Sequence, residues 1–415
     1  MKGLRAGLVL CLLSVTLGCS LLDLLGPSSE PVVIIDPTMT PSPAPPTETP
    51  APLPPPTAAA CPPYQDVALP TRTADLDAYT DLLRDFLHRG GDPGRLVLEP
   101  LEGLLRGDLI GDYVPEIVLS IVDTESLQVP PPSRMLIFTC DGGGILSPYQ
   151  YDPGEWMGLE LIGIQDLTGD GQGDLVFSDV NCGAHTCWHT PHVWSWTGND
   201  FTDAVTAPFQ YPYPAFELRD AALVVVSGGI GSAGAGPQRS ITTTLSWKGD
   251  LVTATAESVA PPAFRYHALV DGDLAFGAGE FDAAQALYQR VLDDASLTEW
   301  GGWSGEDAER SWLRALGQWR LMVLSAYRSM EVDAESYYGA LVPAPDSTAP
   351  EAAVSALAER YWRSYERDGD PVDACAYAVD TEEVVEVTIF LNGFGYANPW
   401  YEAPDICPYH GALPR

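Results

Sequence analysis

The chain has 415 residues, enough for about two or three domains that each bury a hydrophobic core. Hydrophobic residues make up 46% of it, which is typical of a globular protein. With 21 Lys and Arg against 57 Asp and Glu, the formal charge is -36. This charge disfavours binding to nucleic acid or anionic membranes, since both attract cationic surfaces.

The first residues are typical of an export signal. Two basic residues precede an apolar run, Ala6–Leu17, which has the length of a signal-peptide core and is too short to span a membrane. The run leads into VTLGC, which resembles the bacterial lipobox. We therefore expect residues 1–18 to be removed and Cys19 to be lipidated, with ordinary secretion as the alternative.

Residues 19–63 are predicted to be a tether. The stretch Pro27–Pro63 is so rich in Pro, Thr, Ser and Ala that it cannot form a packed core. Proline-rich chains extend by about 3.1 Å per residue, so the tether would span on the order of 100 Å. The expected location is extracytoplasmic, with the lipid anchor in the bacterial cell membrane or envelope.

Six cysteines remain beyond Cys11 in the signal and Cys19, an even number that suits an oxidising compartment. Sequence alone does not fix their connectivity. Nearness along the chain favours Cys182 with Cys187 and Cys375 with Cys407, which leaves Cys61 with Cys140 as the third predicted pair.

Residues 64–262 are predicted to form a β-repeat domain with a short N-terminal helix. The stretch DLTGDGQGDLVF from Asp166 has a degenerate copy, DLIGDYVPEIVL, that starts 58 residues earlier at Asp108. A third copy, LRDAALVVVSG, starts at Leu218. Each unit reads as short strands separated by Gly and Asp turns, and the three units run from about Leu101 to Val259.

These units resemble the FG-GAP or VCBS repeats of integrin-type β-propellers, whose blades carry a D-x-[DN]-x-D-G-x-x-D loop. The resemblance is strong in the second unit, partial in the first and limited to the strand pattern in the third. It implies blade-like sheets. Since a closed ring normally takes about four to eight blades, a partial propeller, an open stack of sheets and a sandwich all stay open.

The loop of the second unit is predicted to bind structural Ca²⁺. Calcium takes oxygen ligands, and alternate residues of a glycine-bent loop can supply them. The expected ligands are the side chains of Asp166, Thr168, Asp170 and Asp174 and the backbone carbonyl of Gln172, with Gly171 at the bend. A plain β-turn is the alternative. In the first unit Ile110 and Tyr113 break the pattern, and no metal is expected there.

Two other motifs have simpler interpretations. CGAHTCWHTPH, with its three histidines, suggests zinc or copper, but a surface loop closed by a disulfide is favoured because secreted cysteines are usually oxidised. GGIGSAG matches a dinucleotide-binding pattern, yet Pro237 and a β-type run follow it where a helix should begin. A flexible loop is predicted there.

Residues 263–415 are predicted to be an α-helical domain. The stretch from Tyr266 to Asp294 is similar to a tetratricopeptide repeat, in which Gly272 would permit close packing of the two helices. A last helix is predicted from Val384, with a capping box at Asp380 and Glu383 and a stop at Asn392. Three apolar stripes at helical spacing are predicted to be core: Phe281, Ala284, Tyr288 and Val291; Trp312, Leu316, Trp319, Val323 and Tyr327; and Val354, Leu357, Tyr361 and Tyr365.

The sequence thus predicts an α+β multidomain protein that is not an enzyme. It would be a cell-surface lipoprotein that binds a protein or a glycan through its repeats and helices. The alternative is a surface-anchored carbohydrate-active enzyme or other hydrolase, in which FQYPYPAF from Phe209 lines a sugar groove between paired carboxylates. A structural envelope protein is a third hypothesis.

Overall fold

The computed structural model describes residues 61–96, 103–141, 144–146, 148–183, 185–205, 207, 209–302, 304–342 and 351–407. Cys19, the predicted signal and the tether as far as residue 60 lie outside this part. The described residues belong to one compact unit, Pro55–Arg415. Antiparallel sheets come first and most helices follow, which confirms the predicted mixture of α and β structure.

Three antiparallel sheets have the same simple order, in which each of four strands pairs with the next. The first sheet contains β1 (Gly103–Gly107), β2 (Glu116–Val122), β3 (Ser133–Phe138) and β6 (Tyr149–Tyr151), and a ribbon of β4 (Cys140–Asp141) and β5 (Gly144–Ile145) precedes β6. The second contains β7 (Met157–Gln165), β8 (Asp174–Gly183), β9 (Thr186–Trp196) and β10 (Phe201–Asp203), with β11 (Tyr211–Pro212) also beside β9. The third contains β12 (Ala215–Arg219), β13 (Ala222–Ser227), β14 (Ile241–Lys248) and β15 (Leu251–Val259).

The sheets pack face to face, and glycines bring their first strands close together. A Cβ added to Gly107 of β1 would lie 2.8 Å from the side chain of Ile164 in β7, and one on Gly163 would lie 2.6 Å from Leu218 in β12. Apolar side chains fill the two spaces between sheets. In the described part of the chain these sheets form neither a closed barrel nor a closed propeller.

The predicted N-terminal helix is present as α1 (Leu76–His88). It begins at Asp75, whose side chain accepts hydrogen bonds from two backbone N–H groups of the first turn. Its buried face packs against the side of the first sheet that faces away from the second. A disulfide between Cys61 and Cys140 joins the segment before α1 to the ribbon of β4 and β5, as predicted.

In its described residues the helical region has three pairs of consecutive helices in contact and one further helix. The pairs are α2 (Arg265–Gly277) with α3 (Phe281–Asp293), α4 (Glu306–Tyr327) with α5 (Glu331–Leu341), and α6 (Ala352–Asp368) with α7 (Pro371–Val379), and the further helix is α8 (Glu383–Asn392). None of the described helices is long and apolar enough to cross a membrane. The predicted stripes lie mainly in the shared core, although Tyr327 at the end of α4 is exposed.

The predicted hairpin of α2 and α3 is confirmed. Gly272 lies against the ring of Tyr288, where an added Cβ would come within 2.4 Å of a ring carbon. The turn places Gly279 at a φ of +78°. The same turn recurs between α4 and α5 with Ser329 at a φ of +58°, and matching backbone hydrogen bonds run from Gly279 N–H to Phe276 O and from Ser329 N–H to Ala326 O.

The last predicted helix is confirmed as α8, but its predicted cap is wrong. The helix begins after Glu382, whose side chain accepts no hydrogen bond from a backbone N–H of the first turn. Asp380 instead follows the last residue of α7. The two residues of the predicted capping box therefore belong to different helices: Asp380 lies at the end of α7 and Glu383 at the start of α8.

The glycine-rich segment predicted to be a flexible loop makes specific contacts with the helical region. Backbone N–H groups of Tyr396 and Ala397 donate to the carbonyls of Gly234 and Ala235, at 3.1 and 3.2 Å. A Cβ on Gly236 would overlap the carbonyl oxygen of Phe394, at 1.5 Å. The glycines serve close approach of two backbones, and this segment joins the third sheet to the helices.

A buried ion pair anchors the end of the described chain to the helices. Asp273 of α2 and Arg320 of α4 are each 1% exposed and pair through two hydrogen bonds of 2.8 and 3.0 Å. The hydroxyls of Tyr288 and Tyr401 also donate to the Asp273 carboxylate. Arg320 in turn donates to the carbonyl of Ile406, next to the disulfide between Cys375 and Cys407.

We expect Asp273→Asn to lower the free energy of unfolding by about 3 kcal/mol, because it leaves the Arg320 guanidinium buried without a counter-charge. Chemical denaturation followed by circular dichroism measures the change. The control is Asp282→Asn, since Asp282 is 92% exposed and pairs with Arg328 at the surface. Equal effects of the two substitutions would contradict the importance of the buried pair.

Candidate functional site

The predicted calcium loop connects β7 to β8, and its carboxylates bend it through hydrogen bonds to its own backbone. Asp166 accepts from the N–H groups of Gly169 and Gly171, at 2.6 and 3.0 Å. Asp174 is buried and accepts from the N–H groups of Leu167 and Thr168, at 2.7 and 2.9 Å. The flanking segments are strands, as the metal hypothesis requires.

The remaining predicted ligands lie on the outer side of the same loop. Asp170 is exposed and accepts from the N–H of Gln172 at 2.8 Å. The predicted bend at Gly171 is confirmed by its φ of +89°. Gly169 also has positive φ, which the sequence analysis did not anticipate.

The loop between β1 and β2 has the same arrangement. Its first residue, Asp108, corresponds to Asp166 and lies 58 residues earlier. Asp108 accepts from the N–H groups of Gly111 and Tyr113, and Glu116 accepts from the N–H of Leu109 at 2.8 Å. Tyr113 adopts a φ of +68° in the place of Gly171. The first two units are therefore similar in structure as well as in sequence, even where their side chains differ.

The two loops also touch one another. The N–H of Gly173 donates to the carbonyl of Asp108 at 3.2 Å. A Cβ on Gly111 would lie 2.7 Å from the side-chain oxygen of Gln172. Stacking of the first two sheets therefore places two acidic loops side by side.

The donor types suit calcium, but the carboxylates are not gathered around one point. Among the described residues, no three or more His, Cys, Asp or Glu side chains form a group that could hold a metal ion. The carboxylates of Asp166 and Asp174 instead accept backbone N–H groups. A carboxylate oxygen can accept such a bond and still ligate a cation, so calcium binding here stays a prediction.

Glu116 is the unusual member of the first loop. It is fully buried, and one of its carboxylate oxygens finds no hydrogen-bond partner in the described structure. Burial raises the pKa of Glu116 from 4.5 to about 7, against the opposing effect of the hydrogen bond from Leu109. Asp108 and Asp112 raise it further by repulsion.

This shift predicts a pH dependence of stability. Folding raises the pKa of Glu116, so the protonated side chain contributes to the free energy of unfolding. This contribution is fully present below pH 4.5 and is lost as pH rises through about 7. Glu116→Gln should remove that loss and raise the free energy of unfolding at pH 8 by up to about 3 kcal/mol. Urea unfolding between pH 4 and 8 tests this, with Glu335→Gln on the exposed side of α5 as control. Parallel curves for wild type and Glu116→Gln would contradict it.

The histidine-rich segment is part of two strands rather than the predicted surface loop. β8 and β9 continue through it, and Cys182 and Cys187 are directly paired across the ladder and joined by a disulfide. The predicted disulfide is confirmed, and the position of the segment is corrected. β9 is rich in β-branched and aromatic residues, which favour strand structure.

His189 and His192 of this segment face different carboxylates. His192 lies between two carboxylates, 2.6 Å from Asp203 and 3.2 Å from Asp179. Burial lowers the pKa of His192, but the two carboxylates outweigh burial and raise it to about 9. His189 instead faces Glu160 at 3.2 Å.

The segment FQYPYPAF does not form the sugar groove of the enzyme hypothesis. Phe209, Tyr211 and Phe216 pack into the core between the second and third sheets. Tyr213 is the one of its aromatic residues that lines a described cavity, at the edge of β7. This segment therefore gives the enzyme hypothesis no support.

An open aromatic groove lies where the glycine-rich segment, the loop before α4 and the C-terminal residues meet. Trp400 is 62% exposed, and Ile389 of α8 beside it is 56% exposed. Trp300 lines the opposite part, and its backbone N–H donates to the buried carboxylate of Glu309 at 2.8 Å. The groove has a volume of about 950 Å³ and is lined also by Asn392 and Glu402.

Sequence reasoning missed this groove. Its residues come from three stretches that are far apart in the chain, Gly234, Trp300–Gly302 and Thr388–Ala403. The available signal was the pair Trp400 and Tyr401 after the stop of α8, outside every predicted apolar stripe.

No protein-family model, curated protein or solved structure matches this chain.

Proposed function

We propose that this chain is a non-catalytic, lipid-anchored surface protein that binds a partner glycan or protein outside the cytoplasm. The lipobox-like sequence before Cys19 supports the anchor. The three disulfides are compatible with an oxidising, extracytoplasmic compartment. The sheets would be FG-GAP or VCBS-type repeats in an open stack, and the helical hairpins would be tetratricopeptide-like.

The observation that carries the binding function is the aromatic groove beside α8. Trp400 is a large, exposed indole, although apolar residues of its size are normally buried. Aromatic rings beside an amide and a carboxylate are suited to a sugar, whose faces stack on rings and whose hydroxyls form hydrogen bonds. With a formal charge of -36, the chain favours a neutral glycan over an acidic one.

Binding is favoured over hydrolysis by the groove's composition. Glycosidases generally need two carboxyl groups about 5–10 Å apart across the scissile bond. Among the described residues that line this groove, Glu402 is the one that carries a carboxylate. A carbohydrate-active enzyme remains the alternative function, and release of reducing sugar would identify it.

We expect the protein to bind an immobilised neutral polysaccharide and Trp400→Ala to weaken that binding by about tenfold or more, because the substitution removes a stacking surface. Isothermal titration against soluble oligosaccharides of the retained polysaccharide would measure the effect.

The matched control is Trp156→Ala, since Trp156 is 59% exposed and lies beside the second sheet. Equal binding by Trp400→Ala and wild type would contradict the glycan proposal. So would failure of every neutral polysaccharide in the panel to retain the wild-type protein.

The second component of the proposal is a structural Ca²⁺ in the loop from Asp166 to Asp174. An ion there would offset the repulsion among clustered carboxylates and stabilise the β7–β8 connection. The glycine bend and the oxygen donors at alternate positions support this role.

We expect calcium to raise the melting temperature of the wild-type protein and to release or absorb heat on titration, and Asp170→Ala to abolish both effects. Asp170 is exposed, and both hydrogen bonds that it accepts come from Gln172 within its own loop, so its removal should leave the fold intact. Asp112→Ala is the matched control, because Asp112 occupies the equivalent position beside noncoordinating Ile110. Equal responses of wild type and Asp170→Ala, or none, would remove calcium from the proposal.

A further inference from the structure

A second cavity lies at the edge of β7, remote in sequence from the groove beside α8. Its volume is about 590 Å³, and residues of the first two sheets line it together with Tyr213. Consecutive residues from Gly158 to Leu161 contribute to its wall. Because successive side chains of a strand point to opposite faces, the cavity must extend over the edge of β7.

Most of the cavity wall is apolar. It is formed by the side chains of two sheets and of the turn before β3, including Val122, Val129, Pro130, Leu159, Leu161 and Val180. The disulfide between Cys182 and Cys187 also lines it. Such a wall favours an aliphatic or aromatic body in the ligand.

A few polar groups in this wall lack partners. Ser133 is 4% exposed, and its hydroxyl has no hydrogen-bond partner among the described residues. The Nδ1 atom of His189 is likewise buried without a hydrogen bond of acceptable geometry. A buried hydroxyl without a partner is costly, and a ligand that bonds to it would recover that free energy.

One residue that lines the cavity has an unusual backbone conformation. Tyr213 adopts a positive φ of 42°, which residues with side chains seldom do. Its hydroxyl donates to the carbonyl of His185 at 2.6 Å, and His185 itself has a φ of 73°. Strained residues of this kind concentrate at binding sites.

The charge of the cavity selects one class of ligand. Glu160 lines it and its side chain is 50% exposed, while no Lys or Arg is among the described lining residues. The carboxylate lies 3.2 Å from His189 Nδ1 without a proper hydrogen bond. A cation that donates hydrogen bonds would therefore be attracted and an organic anion repelled.

We propose that this cavity binds a primary ammonium group carried on an apolar body, with the ammonium at Glu160 and the apolar body against the walls below Ser133. Two sources have this chemistry: a small alkyl or aryl amine, and the free amino terminus of a peptide with an apolar first residue. The site is separate from the groove and does not depend on the glycan proposal.

Ligand-detected NMR and isothermal titration with 2-phenylethylamine and with leucine amide test the site. Both should bind if the cavity accepts an amine from either source, and binding of one alone would identify its source. The neutral 2-phenylethanol and the anionic phenylacetate should bind at least about tenfold more weakly, because the charge-assisted hydrogen bond is lost. Failure of both amines, or equal binding of phenylacetate, would overturn the proposal.

Variants separate a ligand contact from a structural role. Glu160→Gln should weaken amine binding by about tenfold, whereas Glu335→Gln, the same charge change on α5, should not alter it. Ser133→Ala should weaken binding by about threefold and leave thermal stability unchanged or higher, since no internal hydrogen bond is lost. A loss of stability in Ser133→Ala, or unchanged affinity in Glu160→Gln, would contradict the assignment. Trp400→Ala should bind the amines normally, so this site and the groove can fail independently.

Discussion

The hydrogen bonds between loop carboxylates and backbone N–H groups are the constraint on which the stacked sheets depend. A tight turn leaves several N–H groups without a partner in its own ladder, and such groups must be paired when they are shielded from water. Asp108 and Asp166 meet this need at the ends of β1 and β7. The same bend at both places aligns the two first strands, so that Gly107 can lie against Ile164.

A second constraint joins the sheets to the helices and creates the groove. Backbone contact between Gly236 and Phe394 brings the third sheet close to the residues after α8. The Asp273–Arg320 pair holds the following segment through Tyr401 and the carbonyl of Ile406. Trp400 lies between these two anchored points, which explains how an indole can stay exposed on a well-fixed backbone.

Local patterns predicted much of this structure, and long-range contacts account for the rest. The 58-residue spacing located two loops whose hydrogen bonds correspond, and the stripe through Ala284 and Tyr288 identified a buried helix face. Proximity along the chain predicted two of the three disulfides, and the third joins the two cysteines that these pairs leave. The role of Gly236 could not be predicted, because it depends on a carbonyl more than a hundred residues away. The groove and the cavity are composed of distant segments in the same way.

Some of the acidic side chains are paired within the described structure, and the distribution of the others decides where a ligand charge can bind. Asp273 is paired with Arg320, Glu299 with Arg265 and Arg310, and His192 is held between two carboxylates. The loop aspartates Asp166 and Asp170 accept backbone N–H groups of their own loop. Glu160 differs from all of these, because it is half exposed at the mouth of an apolar cavity and has only a poorly oriented histidine beside it. A carboxylate in that position interacts more strongly with an ammonium ion than one in open water, since the apolar walls reduce competition from solvent.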